Sequence, residues 1–318
     1  MSTNGYIPEP NNTKNFGFMP DDRNALEKSK DYMFGAETAI TPEILQPDGQ
    51  WLKYLGTNEY QNFNWGDTMS CVSFSALNCL EIIWNRRYKP LPSLNLSDRF
   101  TAKMSGTTRE GNTFYRVAES LRKINGEVYQ DKWLNESSSW EDYYKEIPSD
   151  IQVIGRRNLK TFHIQYEFLP EPFYPSVLMK ALQQSPLQIA IFAYGAPDAN
   201  GIYHNVDGMA PNHAVTLVGY KENEYWIIQD HYVAHETRKI AWDYRIGACL
   251  RLNIILKNML FLKEKGIPHI YWIVGGKKIM VIDVETLSAI EGLAYEEVDT
   301  LAQYPSGGSV IWLNRTVN

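Results

Sequence analysis

The sequence predicts an α+β protein whose core is divided into two lobes. Helical periodicity dominates the first half of the core, most clearly between residues 71 and 84. Short runs rich in Val, Ile and Tyr, bounded by turn residues, dominate the second half between residues 187 and 255. A block of helices followed by a block of strands is typical of α+β proteins, and a cleft between two lobes is a common place for a binding site.

The strongest helix prediction begins at Cys71. Apolar residues recur at every third or fourth position as far as Trp84, and the segment is apolar on nearly all sides, so the helix should be buried. Asp67 and Ser70 are suited to capping its start. In the first turn, the unpaired N–H groups and the positive end of the helix dipole favour a thiolate. Cys71 is therefore a candidate nucleophile, although a cysteine in this position is more often a packing residue.

The other elements of the core follow in order. An amphipathic helix is predicted to end near Asn125-Gly126, and its apolar face is formed by Phe114, Val117, Ala118, Leu121 and Ile124. A further helix is predicted over 176–184, and strands are predicted over 187–193, 213–220, 225–229 and 246–255.

The chain is predicted to have three parts. Residues 1–50 form an N-terminal arm whose first part is rich in Asn, Pro, Gly and Asp, and residues 51–256 form the core. Residues 257–318 form a small β-rich C-terminal extension, with strands over 267–274, 278–284 and 309–313, a hairpin turn at Gly275-Gly276-Lys277 and a helix near 293–301.

Composition excludes several classes of function. The net charge is −6 and no long basic run is present, which argues against nucleic-acid binding. No apolar stretch is long enough to span a membrane, and no signal peptide is recognisable, so we expect a cytoplasmic protein, or a virion-associated one if the source is a phage. The three cysteines, Cys71, Cys79 and Cys249, form neither a disulfide framework nor a zinc motif. No cofactor is expected.

A thiol nucleophile needs a base, and the base needs an orienting group. His213 stands at the mouth of the strand over 213–220, and Asp230 directly follows the strand over 225–229. Antiparallel pairing of these strands would bring Asp230 back towards His213. His231 and His235 lie four residues apart but have no third ligand at a recognisable spacing, so no metal site is predicted.

The order Cys71, His213, Asp230 has separations of 142 and 17 residues. In papain-like enzymes the histidine follows the cysteine by about 130–150 residues. The start of the Cys71 helix, Ser70-Cys71-Val72-Ser73-Phe74, and the strand Asn212-His213-Ala214-Val215 are both similar to motifs of that family. Over about residues 55–256 the chain thus resembles papain-like (C1 family) cysteine peptidases, of the bacterial and phage type. The resemblance implies a papain-like two-lobe fold, with a helical left lobe and an antiparallel β right lobe.

The resemblance also implies roles for individual residues. Cys71 would attack a peptide carbonyl, and His213 would hold the thiolate as an ion pair and then protonate the leaving amine. Asp230 would orient the imidazole from a position where the family usually has Asn. The Cys71 N–H and a side-chain amide would stabilise the oxyanion. The family's oxyanion Gln would fall at Trp65, so Gln61 is expected to replace it.

Other parts of the cleft follow from the same resemblance. Asn62 and Asn64 are alternative candidates for the oxyanion amide. The loop between Gly106 and Gly111 resembles the glycine loop that pairs with bound substrate, and Asn212 and Tyr232 are also expected to bind substrate. The N-terminal arm does not resemble the family's long helical propeptide, but it could still cross the cleft.

Two other functions compete with a cysteine endopeptidase that acts on a polypeptide substrate. Transglutaminase-like and arylamine acetyltransferase-like enzymes use Cys, His and Asp in the same order, although usually with a shorter Cys-to-His spacing. A catalytically degenerate peptide-binding module is the other alternative, and it would fit the absence of Gln from its usual place. In that reading, the C-terminal extension would bind a protein partner.

Overall fold

The computed structural model describes residues 15–22, 40, 43–88, 93–232 and 237–256, together with shorter segments at 260–266, 270–274, 277–281, 295–298, 300 and 306–310. His235 and the predicted turn residues Gly275 and Gly276 lie outside the described residues. Within the described part of the chain, no helix is both long enough and apolar enough to cross a membrane.

Helices make up most of the first half of the core, as predicted. They are α1 (Cys71–Arg87), α2 (Asp98–Met104), α3 (Phe114–Glu119), α4 (Trp140–Tyr143), α5 (Ser149–Thr161) and α6 (Pro175–Leu182). Helix α3 continues as a π-helical turn over Ser120–Ile124. Ile124, predicted to lie on the apolar face of this helix, is instead 54% exposed. A π turn takes more residues than an α turn, so it rotates Ile124 off the apolar face.

Strands dominate the second half of the core. They are β3 (Phe162–Phe168), β4 (Leu187–Ile191), β5 (Ile202–Tyr203), β6 (His213–Lys221), β7 (Tyr225–Gln229), β8 (Thr237–Ala241) and β9 (Ile246–Leu256), and they follow a short hairpin of β1 (Asn62–Phe63) and β2 (Gly66–Asp67). The seven-stranded sheet has the order β3-β9-β4-β6-β7-β8-β5. All its pairs are antiparallel except β5 with β8.

Helix α1 lies between the helices and the sheet. It contacts α2 and α3 on one side and β4, β6 and β9 on the other. Hydrogen bonds attach it to the sheet: Gln188 Nε2 donates to the Val72 carbonyl at 2.8 Å and to Ser75 Oγ at 2.9 Å, and Thr216 Oγ1 donates to the Ser75 carbonyl at 3.1 Å. This position explains why α1 is apolar on nearly all sides. The predicted α+β fold with a helical lobe and an antiparallel β lobe is therefore confirmed.

The C-terminal extension has its own five-stranded sheet. Its strands are β10 (Leu260–Glu264), β11 (Ile270–Val274), β12 (Lys277–Val281), β13 (Tyr295–Val298) and β14 (Ser306–Val310), in the order β13-β10-β11-β12-β14. The predicted helix near 293–301 was wrong where the chain is described, since β13 pairs in parallel with β10. Strand pairing here overrides the helical preference of the Glu-rich segment.

Candidate active site

His213 and Asp230 form a buried hydrogen-bonded pair. Strands β6 and β7 pair antiparallel, and His213 Nε2 lies 3.0 Å from Asp230 Oδ1. The other carboxylate oxygen, Oδ2, accepts hydrogen bonds from the Tyr194 hydroxyl at 2.8 Å and from Arg238 Nε at 3.1 Å. Burial favours the neutral acid, but the charges of His213 and Arg238 hold the pKa of Asp230 far below its usual range. Asp230 is therefore an anion that can accept the imidazole N–H.

Cys71 lies at the start of α1 and is fully buried. The backbone N–H of Ala214 lies close enough to its sulfur to lower the pKa of the thiol, which places Cys71 near the residue that follows His213. In the described part of the chain, His213 Nδ1 has no hydrogen-bond partner. Burial raises the pKa of the Cys71 thiol well above its usual value, and the carboxylates of Asp67 and Asp230 raise it further. Burial thus outweighs the first-turn N–H of Val72, which lowers the pKa, and favours the neutral thiol.

Gln61 reaches the active site because the residues after it form the β1–β2 hairpin. Asn62 pairs with Asp67 in this hairpin, and the Thr68 N–H donates to the Gln61 carbonyl at 3.0 Å where the hairpin closes. Ten residues separate Gln61 from Cys71 in sequence, but the hairpin folds the extra residues outwards. The Gln61 side chain is fully buried.

The alternative amides lie on the hairpin itself. Asn64 is exposed, and Asn62 is half-buried in β1. Trp65, which stands at the family's usual position for the oxyanion Gln, donates its indole N–H to the Ser137 carbonyl at 2.9 Å. Its side chain stacks on the Phe63 ring, with ring centroids 5.4 Å apart. Gln61 is therefore the best placed of these side chains to reach a bound carbonyl.

Residues 15–22 of the N-terminal arm, here called the cleft segment, pass over this site. The Phe16 N–H donates to the Asn212 carbonyl at 2.9 Å, and Gln61 Nε2 donates to the Phe16 carbonyl at 3.1 Å. The Phe16 ring is fully buried and packs edge-on against His213 and Tyr232, at centroid distances of 5.6 and 5.0 Å. The side chain of Phe16 thus covers the imidazole.

The cleft segment then pairs with the loop that precedes α3. The Asn112 N–H donates to the Gly17 carbonyl at 2.9 Å, and the Met19 N–H donates to the Asn112 carbonyl at 2.8 Å. Phe18 and Asn112 therefore form a parallel bridge. Further along, Asp21 Oδ1 accepts the Tyr115 N–H at 3.1 Å in the first turn of α3. The segment is held by hydrogen bonds along its length, from the sheet side to the helical side.

The narrowest contact of the cleft segment is at Gly17. Its φ is +104°, and a Cβ atom there would lie 2.2 Å from the Met69 carbonyl oxygen. On the opposite side, a Cβ at Gly111 would lie 2.1 Å from the Gly17 carbonyl oxygen. Only glycine fits at either position. Of the two predicted loop glycines, Gly111 thus lies against the cleft segment, whereas Gly106 is exposed and turns the chain after α2.

A cavity of about 700 Å³ opens beside Phe18. Apolar side chains contribute most of its wall, including Phe168, Phe173 and Cys249. Asp21, Glu171 and Arg245 supply charges. The Phe18 ring is itself 5% exposed and packs against Phe114 at a centroid distance of 5.3 Å. The cavity therefore adjoins the space that the Phe18 ring of the arm occupies.

One group of potential metal ligands lies within the same site. His213, Asp230 and His231 offer ligand atoms that all lie within 4.8 Å of one another. His213, which completes this group, is distant from His231 in sequence, so residue spacing alone could not reveal the group. However, both oxygens of Asp230 already accept hydrogen bonds, and the cationic Arg238 beside it opposes a divalent ion. Burial lowers the pKa of His231 to about 3, so it is neutral.

Sequence reasoning missed two participants. Its position in the sequence indicates Asp67 only as a helix cap, but its carboxylate accepts hydrogen bonds from Gln61 Nε2 at 2.9 Å and from the Met69 N–H at 2.7 Å. Phe16 carried no signal, because its importance depends on where the arm lies. Tyr232, predicted to be near the site, donates its hydroxyl to Asp67 at 2.6 Å.

Comparison with known proteins gives a consistent result. The sequence profile of the papain family cysteine proteases matches residues 61–235. Among curated protein sequences, none matches this chain. A solved structure of the cysteine protease and lectin-like domains of Cwp84, a surface layer associated protein of Clostridium difficile, is 13% identical with a TM-score of 0.50. The matched region covers 70% of this chain and 55% of the Cwp84 chain. At this identity the similarity shows a shared fold alone.

Two further structures are similar at lower scores. Bromelain protease from Ananas comosus, solved with the E64 inhibitor, is 17% identical with a TM-score of 0.46, over 65% of this chain and 97% of its own. Xylellain, a cysteine protease from Xylella fastidiosa, is 15% identical with a TM-score of 0.48, over 80% of this chain and 95% of its own.

Proposed function

Because the chain belongs to the papain family of cysteine proteases, we propose that it hydrolyses peptide bonds with Cys71 as nucleophile, His213 as acid and base, and Asp230 as orienting group. The observation that carries this proposal is the buried His213–Asp230 hydrogen bond of 3.0 Å, with Cys71 close enough for the Asp230 charge and the Ala214 N–H to act on the pKa of its thiol. It leaves Nδ1 of the imidazole free to exchange a proton with the thiol.

The proposed reaction has two steps. The Cys71 thiolate attacks the peptide carbonyl carbon, and a carbon–sulfur bond forms while the protonated imidazole of His213 gives its proton to the departing amine. Water then gives a proton to His213 and its hydroxyl to the thioester carbon. The acid leaves, and the thiolate is restored. Asp230 stabilises the imidazolium throughout, because it stays ionised.

Gln61 is proposed to stabilise the oxyanion together with the backbone N–H of Cys71. Its amide already donates to a carbonyl in the cleft, that of Phe16, at 3.1 Å. A substrate carbonyl that took the place of the Phe16 carbonyl would meet the same donor. Gly111, Asn212 and Tyr232 are proposed to contact the substrate, because each lies against or beside the cleft segment. The apolar cavity beside Phe18 favours a substrate with an apolar side chain there.

The chain is proposed to be latent while the cleft segment is in place. Phe16 covers His213, the cleft segment uses the hydrogen-bond donors of Gln61 and Asn112, and Cys71 is fully buried. Displacement of the segment would expose the thiol and lower its pKa, because burial is the largest cause of the increase. In this proposal residues 1–50 are the regulatory arm, residues 51–256 the peptidase domain and residues 257–318 an extension available to a protein partner.

A hydrolysis assay with matched variants tests the proposal. Fluorescent casein is incubated with the full chain, with Cys71→Ala and with His213→Ala, before and after limited cleavage of the arm by a second protease that is then inhibited. We expect hydrolysis by the cleaved wild type and none by either variant. Equal activity of all three proteins would exclude the proposed residues, and acyl transfer to an added amine in place of hydrolysis would favour the acyltransferase alternative.

A further inference from the structure

A carboxylate with no part in the proposed chemistry lies at the centre of the site. Asp67 Oδ1 accepts hydrogen bonds from Gln61 Nε2 at 2.9 Å and from the Met69 N–H at 2.7 Å, and Oδ2 accepts one from the Tyr232 hydroxyl at 2.6 Å. These three donors come from the oxyanion amide, the loop before the nucleophile and the segment that carries Asp230. One side chain therefore links three parts of the site.

The first contact determines which way the Gln61 amide faces. A carboxylate only accepts hydrogen bonds, so the NH₂ group of Gln61, and not its oxygen, must face Asp67. That NH₂ group has two hydrogens. One is directed to Asp67, and the other is directed to the carbonyl in the cleft, now that of Phe16 at 3.1 Å. If the amide rotated by half a turn, its oxygen would repel both Asp67 and an oxyanion.

The second contact acts on the loop that leads into α1. Met69 has a φ of +56°, a left-handed conformation that is uncommon for a residue other than glycine. The hydrogen bond from its N–H to Asp67 Oδ1 spans two residues and closes an Asx turn, which stabilises this conformation. Ser70 and Cys71 follow directly. The same carboxylate thus fixes both donors of the proposed oxyanion hole, the Gln61 amide and the Cys71 N–H.

The third contact attaches Asp67 to the opposite lobe. Tyr232 is 1% exposed and lies two residues after Asp230. Its ring meets the imidazole of His213 edge-on, at a centroid distance of 5.8 Å. Because the Tyr232 hydroxyl holds Oδ2, the Asp67 carboxylate cannot rotate away from Gln61 without breaking that bond.

We infer that Asp67 is a positioning residue, which holds the Gln61 amide with one N–H directed at the reacting carbonyl, and that Tyr232 fixes Asp67 from the opposite lobe. This inference rests on the proposed function. The charge of Asp67 is unfavourable for the nucleophile, because it raises the pKa of the Cys71 thiol. The hydrogen bonds of Asp67 should therefore favour turnover, whereas its charge disfavours the thiolate. Because the two effects are opposite, a positioning role can be distinguished from an electrostatic one.

The test introduces each substitution into the full-length protein. The parent is either the wild type or Gly17→Ala, a variant expected to release the cleft segment, whichever hydrolyses peptide faster. Asp67→Ala removes both functions of the carboxylate, whereas Asp67→Asn removes the charge and keeps an oxygen that can accept from Gln61 and Met69. Tyr232→Phe removes only the hydroxyl that holds Asp67 Oδ2. Asp131→Ala, at a side chain that is 53% exposed and bonded to Lys132, is the control for loss of one acidic charge.

A positioning role predicts an order of turnover. Loss of one oxyanion donor costs about 100-fold in kcat, so we expect Gln61→Ala and Asp67→Ala each to lose about 100-fold with little change in KM. Asp67→Asn should recover at least tenfold of that loss, and Tyr232→Phe should lose about tenfold. The double variant Asp67→Ala with Gln61→Ala should lose far less than the product of the two single losses, because the Gln61 amide is no longer there to be held and only the turn at Met69 remains.

Alkylation of Cys71 by iodoacetamide provides the second readout, because this reaction needs no oxyanion donor. Below pH 7, we expect Cys71 to be alkylated faster in Asp67→Asn than in its parent, while peptide hydrolysis by the variant falls. Multiplicative losses in the double variant, or equal turnover of Asp67→Asn and Asp67→Ala, would overturn the positioning role alone. A parent that is alkylated at Cys71 but hydrolyses no peptide would overturn the proposed function, and the positioning role with it.

Discussion

The amide of Gln61 donates a hydrogen bond to the backbone carbonyl of Phe16 at 3.1 Å, although 45 residues separate them. The donor proposed to stabilise an oxyanion is thus occupied by a carbonyl of the protein itself. The adjoining peptide groups pair with Asn112 and Asn212 on the two sides of the cleft. A substrate must replace these contacts, so activity depends on how firmly the cleft segment is held.

Gly17→Ala is expected to release the cleft segment. A methyl group would lie 2.2 Å from the Met69 carbonyl oxygen, and alanine is strained at a φ of +104°. A loss of about 1.4 kcal/mol of binding would raise the open fraction tenfold, and we expect at least that increase in casein hydrolysis. Alkylation at pH 7, followed by peptide mass spectrometry, should rise at Cys71 but not at Cys79, which stays buried.

Gly201→Ala is the matched control for this prediction. Gly201 also has a positive φ, of +75°, but a Cβ atom there meets nothing within 4 Å. The variant has a similar backbone cost without a contact to the cleft segment. Equal activation by the two substitutions would mean that general loosening, and not release of the cleft segment, raises activity.

Gln61→Ala is expected to lower kcat about 100-fold, the typical cost of one oxyanion donor. Asn64→Ala should leave kcat within about twofold, because Asn64 is exposed on the hairpin turn. Steady-state kinetics on a fluorogenic peptide measure both. If Asn64→Ala proved the more damaging variant, the hairpin would carry the donor, and the assignment of Gln61 would be wrong.

Asp230→Asn should separate catalysis from stability. Asn can still accept the imidazole N–H, so we expect kcat to fall by no more than about tenfold. The Arg238 side chain, 9% exposed, would lose its buried anionic partner. Breaking such a pair costs about 3 kcal/mol, which urea denaturation would detect as a lower free energy of unfolding. Adding Arg238→Gln should restore part of this loss, and a double variant that is less stable still would contradict the explanation.

Glu127 should make the protein less stable as pH rises. It is fully buried, both its carboxylate oxygens are without hydrogen-bond partners in the described part of the chain, and burial raises its pKa to about 8. A carboxyl group whose pKa is higher in the folded than in the unfolded state stabilises folding below about pH 4.3. That contribution is lost as pH rises towards 8.

Glu127→Gln is neutral at every pH, so the wild type should become progressively less stable than this variant between pH 5 and 8. Urea denaturation across this range measures the difference. Glu141→Gln, at a side chain that is 77% exposed, should show no such trend. A constant difference between the wild type and Glu127→Gln would show that Glu127 does not titrate in this range.

Much of the fold could be predicted from local patterns. The helix that begins at Cys71 and the strands that begin at His213 and Tyr225 were found where periodicity and β-branched residues indicated them. Strand β8 was not predicted, because its sequence, Thr-Arg-Lys-Ile-Ala, carries two charges; the sheet leaves Lys239 exposed and pairs Arg238 with Asp230. The helical pattern near residue 295 failed for a related reason, since pairing with a distant strand outweighs local preference.

The sequence by itself determined the class of the protein and the three residues proposed to react, because Cys71, His213 and Asp230 lie at element ends that short-range patterns locate. Only the tertiary structure decided how Gln61, Asp67 and Phe16 meet at that centre. Their contacts join segments that are far apart in the chain or depend on a hairpin closing, and no local periodicity records such distances. The direction of the pKa shift of the Cys71 thiol was decided in the same way, because burial, its largest cause, depends on the packing of the whole fold.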